Sequence, residues 1–380
     1  MNIASYIRMV LPGVLLLLAG CDDSPQESYD WKLPVGFPEP RVPADNPMTT
    51  EKVTLGRRLF YDKRLSGNGT QSCGSCHQQS LAFSDGKPRG IGSTNQVHPR
   101  GSMGLTNVAY NATLAWANPA LALLEQQIPL PLFGENPVEM GVTGKEVEVL
   151  ARLQADPLYP KLFADAFPDK PQAISFPNVI AAIASFSRTL ISGNSPFDRF
   201  TFHNEPGALT PGALRGMKLF FDERLECFHC HGGFNFAVAT VQKKSAFDER
   251  AFHNNGLYNI GGVGAYPPGN QGLFDHTGQR VDAGKFRAPS LRNIALTAPY
   301  MHDGSLSTLS DVIDFYAAGG RLTEEGPYAG DGRLNPNKSG FVRGFVLTPE
   351  EKSDVLEFLG SLTDRDFLTN PAFSDPFAGP

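Results

Sequence analysis

The sequence has no hydrophobic run long enough to cross a bilayer comfortably. Its longest apolar stretch, MVLPGVLLLLA, covers residues 9–19, short of the roughly 20 residues a spanning helix needs. It lacks a basic excess: the net charge is -6, which argues against a nucleic-acid-binding face. Few segments alternate with period two, so no extended sheet is expected. Tryptophan is scarce, with only Trp31 and Trp116. Cysteine is scarce too, at five residues. What is abundant is Gly 39 and Pro 31, together about 18% against a typical 12% or so, which predicts long, turn-rich loops. The 380 residues allow two domains of ordinary size.

The short apolar run follows Arg8 and ends in Leu18-Ala19-Gly20-Cys21. A positive residue, a short apolar core and a terminal Cys resemble a bacterial lipobox, in which the signal 1–20 is removed and Cys21 is lipidated. The alternative is an ordinary secretory signal with a chance Cys. Asp22 and Asp23 fit retention at the inner membrane. Residues 21–50, rich in Pro, Asp, Glu and Ser, read as a flexible tether. The catalytic body is expected in the periplasm, touching the membrane only through the lipid anchor.

Cys73, Cys76, Cys227 and Cys230 form two C-x-x-C pairs, each followed by a His, His77 and His231. No Cys remains for a structural disulfide. A shared zinc site requires pairs 151 positions apart (76 to 227) to meet, far beyond ribbon spacing. A dithiol redox motif leaves the repeated His unexplained. Haem attachment explains every residue: the thiols add to the vinyl groups and the His ligates the iron. Two haem c are therefore expected. The upstream frames GRRLFYDKRL (56–65) and GMKLFFDERL (216–225) repeat as well, marking two related haem domains.

Helical signals surround both motifs. Thr50 is a candidate cap for 51–62, and Thr210-Pro211 opens the second frame. Residues 179–191 are apolar nearly all round. Thr143 with Glu146, and Thr348 with Glu351, have capping-box spacing before helices over 145–155 and 349–362. Gly319-Gly320 stops a helix over 307–320. The fold is expected to be mainly α, with two cytochrome c-like haem domains (51–200 and 201–365), long irregular loops, a C-terminal tail (366–380), and the haems supplying much of each core.

With both haem motifs in place, the segments FRAPSLRNIALTAPYMHDGSLSTL (286–309) and RGSMGLTNVAYN (100–111) resemble the di-haem bacterial cytochrome c peroxidases and their MauG relatives over about 51–365. The resemblance implies a peroxide-reactive N-terminal haem and an electron-transfer C-terminal haem. It makes Glu139, in E-M-G, the catalytic acid–base; on its own it is one of many solvated carboxylates. Gln126 is the implied polar neighbour, with Gln127 beside it. Trp116 matches a tryptophan lying between the haems, an electron relay or a core aromatic. The His that plugs the peroxide site in many peroxidases is Ser93 here, with His98 displaced, so the first haem reads as already open. His98 then lines the pocket edge or a propionate, or plugs the site from an altered loop.

The resemblance places the sixth ligand of the second haem at Tyr316, where peroxidases carry Met and MauG-type members carry Tyr. Met301 is the alternative. A phenolate stabilises oxidised iron; a thioether favours the reduced state. A bridging Ca2+ is also implied, held by main-chain oxygens at Thr297 and Pro299, with Gly101 where an Asn usually ligates. Arg287 and Arg292 are candidate propionate partners or surface cations. The implied function is peroxide-driven formation of a high-valent state shared by both haems. That state oxidises an aromatic side chain of a partner protein, as MbnH-type enzymes convert a Trp of a copper-binding partner to kynurenine. The runner-up is a cytochrome c peroxidase fed by a small cytochrome or cupredoxin. The third reading is a non-catalytic electron carrier.

Overall fold

Thr49, not Thr50, caps the first helix: its side chain accepts from Lys52 N at 3.2 Å, and α1 runs Thr50–Tyr61. Three further helices of eight residues or more belong to the first unit of the computed structural model, which describes residues 29–378: α2 (Glu146–Gln154), α3 (Tyr159–Ala166) and α4 (Phe176–Arg188). The signal segment and Cys21 lie outside the described residues. The Thr143 cap does not form, because its hydroxyl donates to Phe133 O at 2.8 Å and α2 starts from Lys145. Leu55, Leu59, Phe60, Phe163, Ile183 and Phe186 make the first core, each at most 1% exposed. Burial of one such side chain is worth about 2 kcal/mol.

The second unit repeats the plan. Its helices are α5 (Pro211–Phe220), α6 (Leu309–Ala317) and α7 (Pro349–Gly360). Here the sequence signals hold closely. Thr210 accepts from Ala213 N, and Thr348 and Glu351 exchange both capping-box bonds. Gly319, at φ +74, follows α6 where the helix stops. The only sheet among the described residues is two residues per strand, Leu322–Thr323 against Gly330–Asp331. The rest is loop broken by helical segments of seven residues or fewer, as the Gly and Pro content predicts.

The repeated frame has a physical reason position by position. Gly56 and Gly216 lie where α1 crosses α4 and α5 crosses α7. A Cβ at either would sit 1.9 Å from a carbonyl oxygen, Ala182 O or Asp354 O. The following aromatics meet matching partners: Phe60 packs on Phe186 at 5.2 Å between ring centres, and Phe220 on Phe358 at 5.3 Å. Asp62 and Asp222 accept from the backbone N of Arg64 and Arg224. Leu65 and Leu225 are buried. The frame is therefore a helix-crossing and turn device that delivers the chain to each C-x-x-C-H.

Two segments depart from the expected layout. Residues 37–48 are not a free tether: Phe37 and Met48 are buried, and Phe37 packs edge-on against Tyr110, Phe202 and Phe234. The segment read as a tail folds back onto the first unit. Phe367 and Phe373 join its core, and Tyr61 Oη donates to Phe373 O at 2.6 Å. In both, aromatic side chains supply enough apolar surface to offset the entropy of ordering a Pro-rich segment.

Candidate active site

Each attachment motif forms one helical turn, Cys73–Cys76 and Phe228–His231. The His that ends it has its Nδ1 on a backbone carbonyl: His77 on Phe83 O at 2.9 Å and His231 on Phe236 O at 3.2 Å. A carbonyl only accepts, so Nδ1 carries the proton and the Nε2 lone pair is left for a metal. Both Phe residues adopt left-handed backbone, φ 61 and φ 49, uncommon for a bulky side chain. Each also packs on its frame aromatic, Phe60–Phe83 at 6.1 Å and Phe220–Phe236 at 6.0 Å. Burial lowers the pKa of His77 and takes His231 down to about 4, so both imidazoles are neutral and able to ligate.

Cys73 belongs to the first core and Cys227 to the second, so the two pairs do not share one zinc ion. Burial pushes Cys73 and Cys227 up to about 12 and Cys76 and Cys230 up to about 11. Neutral thiols in apolar surroundings suit thioether formation better than thiolate metal ligation. Free Nε2 lone pairs and flanking thiols fit a covalent haem at each motif. So does a charge in need of a partner: Arg287 is fully buried, its Nε and Nη1 bond to nothing, and desolvation lowers its pKa to about 10. A buried unpaired guanidinium calls for an anion, and a haem propionate is one. Arg292 differs. It is fully buried in a two-pronged pair with Asp198, at 2.8 and 2.9 Å, which already neutralises its charge.

On the first-haem side, Glu139 lies near the motif, its charge acting on His77. The loop 90–101 carries it. Ser93 N donates to Glu139 O at 2.7 Å, and Gln96 Oε1 accepts from Val138 N at 2.9 Å. Gly92 packs so closely that a Cβ would meet Val138 O at 1.8 Å. His98 Nε2 stands 3.2 Å from Glu139 Oε1, so the displaced His reaches the carboxylate. The amide of Gln126 does not turn inward: it is exposed, and its Oε1 accepts from Ala122 N and Leu123 N at 3.1 Å, capping its own helical turn. Gln127 is the inward one, with Oε1 buried and unpartnered. Gln127 shares a helical face with buried Leu124, three residues before it, whereas Gln126 does not.

Trp116 lies in the seam between the units. Its Nε1 donates to Gly101 O at 2.9 Å and its carbonyl accepts from Arg287 N at 2.8 Å. Thr297, Pro299 and Gly101 line the same interdomain cavity as Trp116 and Arg287. So does Asn111, whose buried Oδ1 has no partner. At the second motif, Tyr316 is half-buried beside Asn255, and desolvation pushes its phenol up to about 12. Asn255 Nδ2 also reaches Met301 Sδ at 3.4 Å. The two candidate ligands thus converge on one amide that sequence reading did not single out. A phenol held this high loses its proton only against a strong local cation, and ferric iron is one.

The di-haem cytochrome c peroxidase family profile matches residues 50–206. The methylamine utilization protein MauG of Methylorubrum extorquens is 33% identical over 87% of this chain and 83% of its own length. The cytochrome c551 peroxidase of Pseudomonas aeruginosa is 31% identical over 84% and 80%. The crystal structure of a MauG-like protein associated with microbial copper homeostasis superposes with a TM-score of 0.90 at 51% identity, covering 92% of this chain and all of that one. The diheme peroxidase BthA from Burkholderia thailandensis shares the fold at a TM-score of 0.64 and 20% identity.

Proposed function

The chain belongs to the di-haem cytochrome c peroxidase family, in which MauG proteins and peroxidases are both its relatives, and from that premise we propose a MauG-like enzyme that uses hydrogen peroxide to oxidise an aromatic side chain of a periplasmic partner protein. The family makes it an oxidoreductase and implies two haem c. The observation that carries the finer reading is Tyr316. It is half-buried beside Cys227 and Cys230 of the second motif, and it stands where peroxidases use Met.

Bound at the two motifs, the haems supply irons that exchange electrons with peroxide and between themselves. The chain's own residues do the rest. Glu139 takes a proton from the near peroxide oxygen and returns it to the leaving oxygen. His98 Nε2, beside that carboxylate, holds it in place. Gln127 offers the polar contact first assigned to Gln126. Trp116, fixed by Gly101 O, bridges the two units, and Arg287 neutralises a propionate at the seam. A Ca2+ there would draw on Thr297 and Pro299 carbonyls, with Asn111 Oδ1 in place of the missing Asn at 101.

A partner connected with copper is supported by the 51%-identical MauG-like protein associated with microbial copper homeostasis; the Trp-to-kynurenine outcome rests on the resemblance to MbnH-type enzymes alone. Periplasmic export rests on the N-terminal signal. No described helix is long and apolar enough to cross a membrane. The test is peroxide treatment of the di-haem protein with proteins encoded beside its gene, read by mass spectrometry for oxygen gained or carbon lost on Trp or Tyr. The second reading, a cytochrome c peroxidase, is favoured by peroxidase relatives at similar identity. Brisk steady-state oxidation of reduced cytochrome c would establish it and displace the first.

A further inference from the structure

A line of aromatic rings leads from Trp116 to the protein surface. His302 sits 6.5 Å from Trp116 and 6.2 Å from Tyr266. Tyr266 is 5.4 Å from Tyr258, and Tyr258 is 6.0 Å from Tyr328. His302, Tyr266 and Tyr258 are buried; Tyr328 is 40% exposed. Trp116, His302 and Tyr328 come from separate loops, Tyr258 and Tyr266 from one, and no repeat or motif predicts their alignment.

The phenols along the line differ in what receives their proton. Tyr266 Oη donates to the neutral Asn254 amide at 3.0 Å, a poor base. Tyr258 Oη donates to the Asp303 carboxylate at 2.6 Å. Burial alone would raise the Asp303 pKa, but the neighbouring His302 and the hydrogen bonds from Tyr258 and Ser305 hold it below the usual carboxylate range, so it stands ready as a base. A tyrosine gives up an electron readily only when its proton leaves with it. The Tyr258–Asp303 pair meets that condition and Tyr266 does not.

We infer that Tyr266, Tyr258 and Tyr328 form a route by which oxidising equivalents leave the seam at Trp116 and emerge at Tyr328, a surface redox site facing an oxidisable protein side chain. The inference rests on the proposed peroxide reactivity. Hydrogen peroxide is the oxidant, taking two electrons and two protons as its O–O bond breaks to give two waters. For each electron, Tyr258 sends one inward through Tyr266 and passes its phenolic proton to Asp303. Tyr328 then returns an electron to Tyr258, Asp303 returns the proton, and the Tyr328 proton goes to solvent. Tyr266 bridges without holding charge, and Tyr258 is the intermediate stop.

The experiment treats the di-haem protein with peroxide, without a partner, in the presence of a nitroso spin trap. Adducts are mapped by mass spectrometry and normalised to peroxide consumed. The expected result is an adduct concentrated on Tyr328. In Tyr258→Phe, and separately in Asp303→Asn, its yield should fall by about a hundredfold, the usual scale for loss of a positioned proton acceptor. Equal labelling of Tyr328 in both variants overturns the route. A haem spectrum that responds to peroxide while Tyr328 stays unlabelled also overturns it and leaves the proposed function standing. A haem spectrum indifferent to peroxide removes both.

Discussion

The Nε2 of His98 lies 3.2 Å from Oε1 of Glu139, joining the displaced loop histidine to the carboxylate assigned to peroxide chemistry. The loop that would carry a plug in related peroxidases carries a support here. Ser93, at the expected plug position, uses its backbone N to hold Glu139 O.

Replacing Glu139 by Gln should leave both haems attached and slow the peroxide reaction by about 10²–10⁴-fold, the range for loss of a positioned acid–base. Stopped-flow absorbance after mixing with peroxide reads this directly. A rate equal to that of the parent protein removes Glu139 from the chemistry.

The two glutamines should separate cleanly. Gln127→Leu fills the same space without the polar group and is expected to slow the peroxide step. Gln126→Ala should leave that step unchanged and cost about 1 kcal/mol through the lost helix cap. Parallel stopped-flow and urea denaturation distinguish them, and the opposite pattern reverses the assignment.

Arg287→Leu removes a buried positive charge from the interdomain cavity. If the guanidinium faces a propionate, the nearby haem loses a charge that favours its reduced, less positive state, so its reduction potential should fall. Spectroelectrochemical titration measures the shift. Two potentials identical to those of the parent chain would place Arg287 away from both haems.

Tyr316→Met should move the second haem towards a low-spin His/Met spectrum and raise its potential, because a thioether favours reduced iron. Magnetic circular dichroism in the near infrared reports the ligand. An unaltered spectrum leaves Met301 as the candidate.

Gly56→Ala and Gly216→Ala place a methyl 1.9 Å from a backbone oxygen that cannot rotate away. Each should destabilise its own unit by about 2 kcal/mol or more, as overpacking does, with the other unit little affected. Thermal unfolding followed at the two haems tests this; a wild-type Tm in both variants would refute the helix-crossing account.

The sequence determined the two C-x-x-C-H turns. Two thiols and an imidazole in consecutive reach form one local turn, so Cys73, Cys76, His77 and their counterparts were legible by spacing alone. So were the caps at Thr210 and Thr348 and the loop-rich helical class, since each depends on neighbours a few residues away. Tertiary structure decided what lies across space from those motifs. The inward face of a four-residue helical turn selected Gln127 over Gln126. Asp198, far from Arg292 in sequence, claimed that guanidinium and left Arg287 as a buried cation with no carboxylate partner. Phe37, Phe367 and Phe373 turned expected tether and tail into core. The ring series from Trp116 to Tyr328 exists only because separate loops meet at the seam. Local hydrogen-bond geometry is written in short spacings, whereas burial and long-range pairing depend on which surfaces the whole chain removes from water.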